Sequence, residues 1–182
     1  MATPKDPDRL ILPVSSRDHA QGNPSAKITL VQYGDYQCPR CYAAHCILPS
    51  IQQLLDQQIR FVFRHFPQPH IHPEAYHAAE AAEAAASQNK FWEMHTHLLE
   101  HQSHLADSNL VRYAIALYLD VNQFLHEMST DSHVARIQTD INSGLQSGVI
   151  KTPTFFINGQ KYDDSCSTEG LLEAVLELNQ MQ

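Results

Sequence analysis

The sequence predicts an α/β chain: a strand–helix–strand unit, then a block of helices, then a hairpin and a last helix. Three observations carry this. Lys27 to Tyr33 (KITLVQY) and Ile59 to Phe66 (IRFVFRHF) have the β-branched and apolar bias of strands. Between them Ala43, Ala44, Ile47, Leu48, Ile51, Leu54 and Leu55 recur at helical spacing. From 74 to 150 almost no strand signal remains, and it returns at Thr154-Phe155-Phe156-Ile157.

Residues 1–26, with Pro4, Pro7, Pro13 and Pro24, read as an extended arm in which Leu10-Ile11-Leu12 is expected to add a short edge strand. Gly34-Asp35 breaks the first main strand, and YQCPRCY (36–42) follows. Pro39 suits a first helical turn, where its missing N–H costs nothing, and Pro49 is expected to kink the helix. The order strand, helix, strand is a βαβ unit. In the helical block, Ala75 to Ala86 holds eight alanines in twelve positions. Phe91 to His101, Asn109 to Leu119, Val121 to Met128 and His133 to Leu145 follow as helices, with Asp107 or Ser108 as the cap of the Asn109 helix. Asn158-Gly159 before Gln160-Lys161-Tyr162 signals a hairpin. Ser167 or Thr168 is placed to cap a last helix, Gly170 to Leu178. The expected organisation is an arm (1–26), one α/β domain built from 27–67 and 151–182, and a helical insert (68–150).

A chain of 182 residues, 43% hydrophobic, suits one domain or one domain carrying a large insertion. Its net charge of −8 lacks the basic footprint that holds nucleic acid or an anionic membrane surface. The first residues hold no signal-type apolar core, and no stretch reaches the ~18 apolar residues of a membrane span. The expected location is the cytoplasm. Four cysteines, Cys38, Cys41, Cys46 and Cys166, are too sparse for a disulfide scaffold.

The pair Cys38 and Cys41 reads as half of a metal site, a structural disulfide, or a couple cycling between dithiol and disulfide. Exchange needs an exposed thiolate beside a second thiol that resolves the mixed disulfide. At a helix N-terminus, unpaired N–H groups and the macrodipole favour a negative sulfur on Cys38, and Arg40 is expected to add a cation. Cys41, one turn in, is expected to be less exposed. Cys38 is therefore the expected attacking thiol and Cys41 the resolving one. Thr152-Pro153 precedes a strand that leads into a hairpin, which makes it a candidate cis bond; an ordinary trans proline opening an edge strand is the other reading. A cis bond would turn the Thr152 backbone toward Cys38.

The stretches YGDYQCPRCYAAH, NKFWEMHTHLL and GVIKTPTFFINGQ, in that order, resemble the DsbA-like thiol–disulfide oxidoreductases of the thioredoxin superfamily. The resemblance covers about residues 10–178. It implies a thioredoxin fold with an inserted helical domain, and exchange with protein or small-thiol disulfide substrates and an unidentified redox partner. No cofactor is implied. By the same resemblance Cys38 and Pro39, then Arg40 and Cys41, form the redox motif, with Pro153 as the cis-proline and Thr152 beside it. Two positions depart from the family pattern. Gln32 stands where a buried acid often takes the proton of the second thiol, leaving Asp35 or water as substitutes, and Lys151 stands where glycine is usual. A cation between the cysteines favours the thiolate, so the disulfide is expected to be moderately oxidising.

Other signals are weaker. His70, His72, His95, His97, His101 and His104 read either as solvated histidines or, with the CxxC, as a zinc site. Cys46 and Cys166 read as unpaired thiols, one of them buried, or as a second pair. Phe91-Trp92 reads as core or, as the alternative, as an aromatic patch near the active site that binds unfolded substrates. Two alternative functions follow: a metal-binding structural protein, and a glutathione-linked transferase or isomerase on the same architecture.

Overall fold

The two main apolar runs pair as parallel strands at the centre of a five-stranded sheet in the computed structural model, which describes residues 8–162 and 168–180. Pro4, Pro7, Cys166 and Ser167 lie outside the described residues. Strands β1 (His19–Gly22), β2 (Ile28–Gly34), β3 (Ile59–His65), β4 (Thr154–Ile157) and β5 (Gln160–Lys161) are arranged in the order β1-β3-β2-β4-β5. In the parallel β2–β3 pair, Ile28 lies opposite Ile59 and Gly34 opposite His65. Parallel strands need a crossover, which α1 (Pro39–Leu55) supplies. The other three pairings are antiparallel. Asn158 (φ 50°) and Gly159 (φ 80°) take the left-handed conformations that the tight β4–β5 turn requires.

The edge strand of the arm is His19–Gly22, not Leu10–Leu12. Pro13 withholds a ladder donor directly after that apolar triplet. Instead, Leu10 N–H donates to Gly159 O at 2.9 Å and Ile11 N–H to Ser147 Oγ at 3.0 Å. The polar HAQG segment has no strand-like alternation, yet its backbone fills the open side of β3.

Helix α1 continues past Pro49 to Leu55 as one helix, burying Cys41, Ala44, Leu48, Ile51 and Leu55. The insert contributes α2 (Ala75–Ala86), α3 (Phe91–Glu100), α4 (Asp107–Ala116), α5 (Val121–Ser129) and α6 (Val134–Gln146). Alanine-rich α2 is the central helix, packed against each of the other four. Its buried alanines let the neighbours approach closely. Helix α4 begins at Asp107 without a side-chain cap, so neither Asp107 nor Ser108 plays that part. Helix α5 is capped by Asp120, which accepts from the N–H groups of Asn122 and Gln123. Helix α7 (Thr168–Gln180) packs on α1.

One hydrophobic core runs from the sheet into the insert, joining Phe63 and Leu55 to Phe91, Leu98 and Phe124. Phe91 is buried and Trp92 packs half-buried against this core, as expected. Among the described residues, no helix is long and apolar enough to cross a membrane.

Candidate active site

Gly34 closes β2 where an added Cβ would stand 2.4 Å from the Phe63 ring, so only glycine lets the chain pass here. The next residues turn onto α1: Cys38 N–H donates to Asp35 O at 3.2 Å, and Cys38 becomes the N-cap with Pro39 in the first turn. The Cys38 sulfur therefore sits at the end of the helix where N–H groups lack intrahelical partners. Cys38 is 6% exposed, buried where an exposed thiol is expected, and Cys41, at 0%, is the less exposed of the two as expected. Among the described residues Cys38, Cys41 and Cys46 are free thiols, and Cys46 is exposed on α1.

The two thiols are driven apart in acidity. A hydrogen bond from the Cys41 thiol does most to lower Cys38, from 9.0 to about 5. Burial opposes this, while the Thr152 side chain and the N–H groups of Cys41 and Arg40 add to it. Cys41 is pushed well above its ordinary value, first by burial, then by its hydrogen bond to Cys38 and the charge there.

Arg40 acts through its backbone. Its side chain is exposed and joins no hydrogen bond or ion pair among the described residues, and its N–H is the group that helps lower Cys38. The N–H groups of the first turn point along the axis toward the N-cap sulfur.

Residues 152 and 153 meet the cysteines from the far end of the chain. The Thr152–Pro153 peptide bond is cis. The Cys38 thiol donates to the Thr152 carbonyl at 3.3 Å, and the Thr152 hydroxyl donates to Gln68 Oε1 at 3.2 Å. Lys151 is exposed beside them.

Asp35 is the hub that sequence reasoning named only as a substitute proton acceptor. Its carboxylate is fully buried and accepts from Gln37 N–H (2.8 Å) and Gln68 N–H (2.8 Å), and pairs with His72 Nδ1 (2.9 Å). Its own N–H donates to Cys41 Sγ at 3.4 Å. Gln68 in turn reaches the Ile150 carbonyl at 3.4 Å. A single carboxylate thus ties the CPRC turn, the loop after β3 and the proline loop together. Gln32 is buried in β2 with its Nε2 unpartnered among the described residues.

The histidines divide. His95 is buried, with Tyr36 Oη on its Nδ1 at 3.1 Å, and burial depresses its basicity. The only potential metal-binding group of three or more His, Cys, Asp or Glu among the described residues is His19, His65 and Glu83. It contains neither cysteine, so the described residues offer the CxxC no zinc site. Within it both imidazoles share Glu83 Oε1 at 2.8 Å, and Arg136 lies 3.8 Å away, which already balances the carboxylate. No signal in the sequence joins these residues, since β1, β3 and α2 meet only in the fold.

The thioredoxin family model Thioredoxin_4 matches residues 15–177. Curated relatives include the Na(+)/H(+) antiporters NhaA 3 of Salinispora tropica, 40% identical over 97% of this chain, and NhaA 1 of Salinispora arenicola, 41% identical over 96%. Each alignment takes 26% of the antiporter, so the chain spans about a quarter of the length of these relatives. Among solved structures, a thioredoxin-like oxidoreductase from Silicibacter pomeroyi DSS-3 is 25% identical with a TM-score of 0.79, covering 91% of this chain and 94% of that one. Wolbachia pipientis alpha-DsbA1 shares the fold at 21% identity and a TM-score of 0.79, over 94% and 95% of the two chains. With the CPRC turn at the head of α1 and a helical insert between β3 and β4, the chain belongs to the thioredoxin family, in its DsbA-like form.

Proposed function

We propose that the chain is a thiol–disulfide oxidoreductase, acting on protein or small-thiol disulfides and thiols, with Cys38 as nucleophile and Cys41 as resolving thiol. One observation carries the reading: two neighbouring thiols, one lowered to about 5 at a helix N-terminus and the other buried and raised. At neutral pH the first is a thiolate and the second keeps its proton.

In the reducing direction the Cys38 thiolate attacks one sulfur of a substrate disulfide. A Cys38–substrate disulfide forms and the substrate's other sulfur leaves as thiolate. Cys41 then loses its proton, attacks the Cys38 sulfur and releases the second substrate thiolate. The protein ends as the Cys38–Cys41 disulfide and the substrate has gained two electrons. The oxidising direction reverses each step. As the Cys38 thiolate forms, its hydrogen bond to the Thr152 carbonyl is lost, and the carbonyl is left for a substrate N–H. Gln32 takes no proton, so deprotonation of Cys41 falls to water or a substrate group, while Asp35 stays committed to its three partners.

The low Cys38 value favours the reduced form and makes the disulfide oxidising. A redox partner of unidentified kind would set net flux. Ion transport by this chain is no part of the proposal. The test is trapping: Cys41→Ser should accumulate mixed disulfides with substrate, and Cys38→Ser none. Equal trapping by both would sink the assignment of roles.

A further inference from the structure

A cavity of about 320 Å³ opens in the helical insert between α2, α4 and α5, sharing no residue with the cysteine site. Its floor is apolar, formed by Leu110, Phe124, Leu125 and Met128. Its wall carries Glu80, Asp107 and Asp131, with His77. Glu80 is 5% exposed, and its Oε1 has no hydrogen-bond partner among the described residues. A buried polar atom without a partner is costly and calls for a physical explanation.

Nearby imidazoles are already engaged. His77 Nδ1 pairs with Asp107 at 2.9 Å, and His133 Nε2 with Glu127 at 2.7 Å. Glu80 is left facing the charge of Asp131. Burial holds its carboxyl above the usual range, and the charges of Asp131 and Asp107 add to this against His77 and His133. A bare metal ion does not fit. Hard cations want several oxygen ligands, and no three such atoms converge here.

We propose that this cavity binds an organic ammonium ion, a primary amine on a small apolar body, with the ammonium on Glu80 and the body on the Phe124 and Met128 floor. The volume lies at the low end of small-molecule sites, which run from about 300 Å³ upward. A charge-assisted hydrogen bond to a carboxylate that is 5% exposed supplies the discrimination, and the apolar floor supplies contact area.

The test titrates phenethylamine, and separately its uncharged counterpart 2-phenylethanol, into the full chain by protein-observed NMR. The expected result is saturable binding of the amine at one site. The alcohol should bind roughly tenfold or more weakly, as should the amine to Glu80→Gln. Thermal melting checks that this variant is folded; the alcohol comparison needs no variant at all. Equal binding of amine and alcohol, undiminished binding to folded Glu80→Gln, or no saturable binding of the amine would each overturn the proposal.

Discussion

The Cys38 thiol and the Thr152 carbonyl meet at 3.3 Å across 114 residues of sequence, so the head of α1 and the proline loop form one site. That carbonyl accepts from the thiol and favours the protonated sulfur, whereas the Thr152 side chain favours the thiolate. The strongest support for the thiolate comes from Cys41. The expected order follows: Cys41→Ala raises the Cys38 value most, Thr152→Ala raises it less, and Arg40→Ala leaves it nearly unchanged because the N–H group remains. Thiolate absorbance against pH measures all three; a large effect of Arg40→Ala would contradict the backbone account.

Reactivity of Cys38 should follow the same ionisation. Alkylation of Cys38 in the reduced Cys46→Ser/Cys166→Ser protein should be flat near neutrality and fall about tenfold per pH unit below about pH 5. The same shift is a stability statement. A thiol depressed from 9.0 to about 5 stabilises the folded reduced protein fully above 9, and this is lost as pH falls through 5. Over that window the gain is about 1.4 kcal/mol per pH unit at most. Urea denaturation of reduced wild type and Cys38→Ala across pH 5 to 8 reads it as a widening gap toward the alkaline side.

Much of this was legible from local residue patterns. The CPRC turn after KITLVQY and the NG turn after TFFI each draw their signal from adjacent residues, and both elements formed where expected. What the sequence hid was contact between distant segments. Asp35, Gln68 and His72 form one network only because β2 and β3 run side by side. HAQG has no apolar alternation, and it became a strand because β3 left an edge unpaired. Arg40 was legible as a cation in the motif, but the part its N–H plays at the Cys38 sulfur depends on the helix N-terminus that only the fold displays.

Asp35→Asn removes a charge that raises Cys41 and weakens the anchor of the Gln68 and His72 loop. The Cys41 thiol should titrate lower in the variant, and stability should fall by roughly 1–3 kcal/mol as hydrogen-bond partners lose their acceptor charge. Thiol titration and denaturant unfolding separate the two effects. An unchanged Cys41 would mean that the Asp35 charge does not reach it.

Glu83→Gln leaves His19, His65 and Arg136 without their shared carboxylate, at a cost of about 3–5 kcal/mol. Burial pushes Glu83 up, but the bonds from His19 and His65 more than offset it and hold the carboxyl far below its ordinary range. A depressed carboxyl stabilises above its unfolded value of 4.5 and loses that contribution on acidification. Wild type should therefore converge on Glu83→Gln as pH falls below about 4. Parallel pH profiles of the two proteins would refute the buried-carboxylate account.

The central claim is that Cys38 and Cys41 form a working two-electron couple. It is tested most directly by redox titration of Cys46→Ser/Cys166→Ser protein in defined thiol–disulfide buffers, followed by Trp92 fluorescence and thiol counting. The expected result is a reversible couple consuming two thiols, at a potential within the range of roughly −270 to −120 mV spanned by known members of this chemistry. Two thiols that persist across the whole range, or a couple that appears only after a metal is stripped, would contradict it.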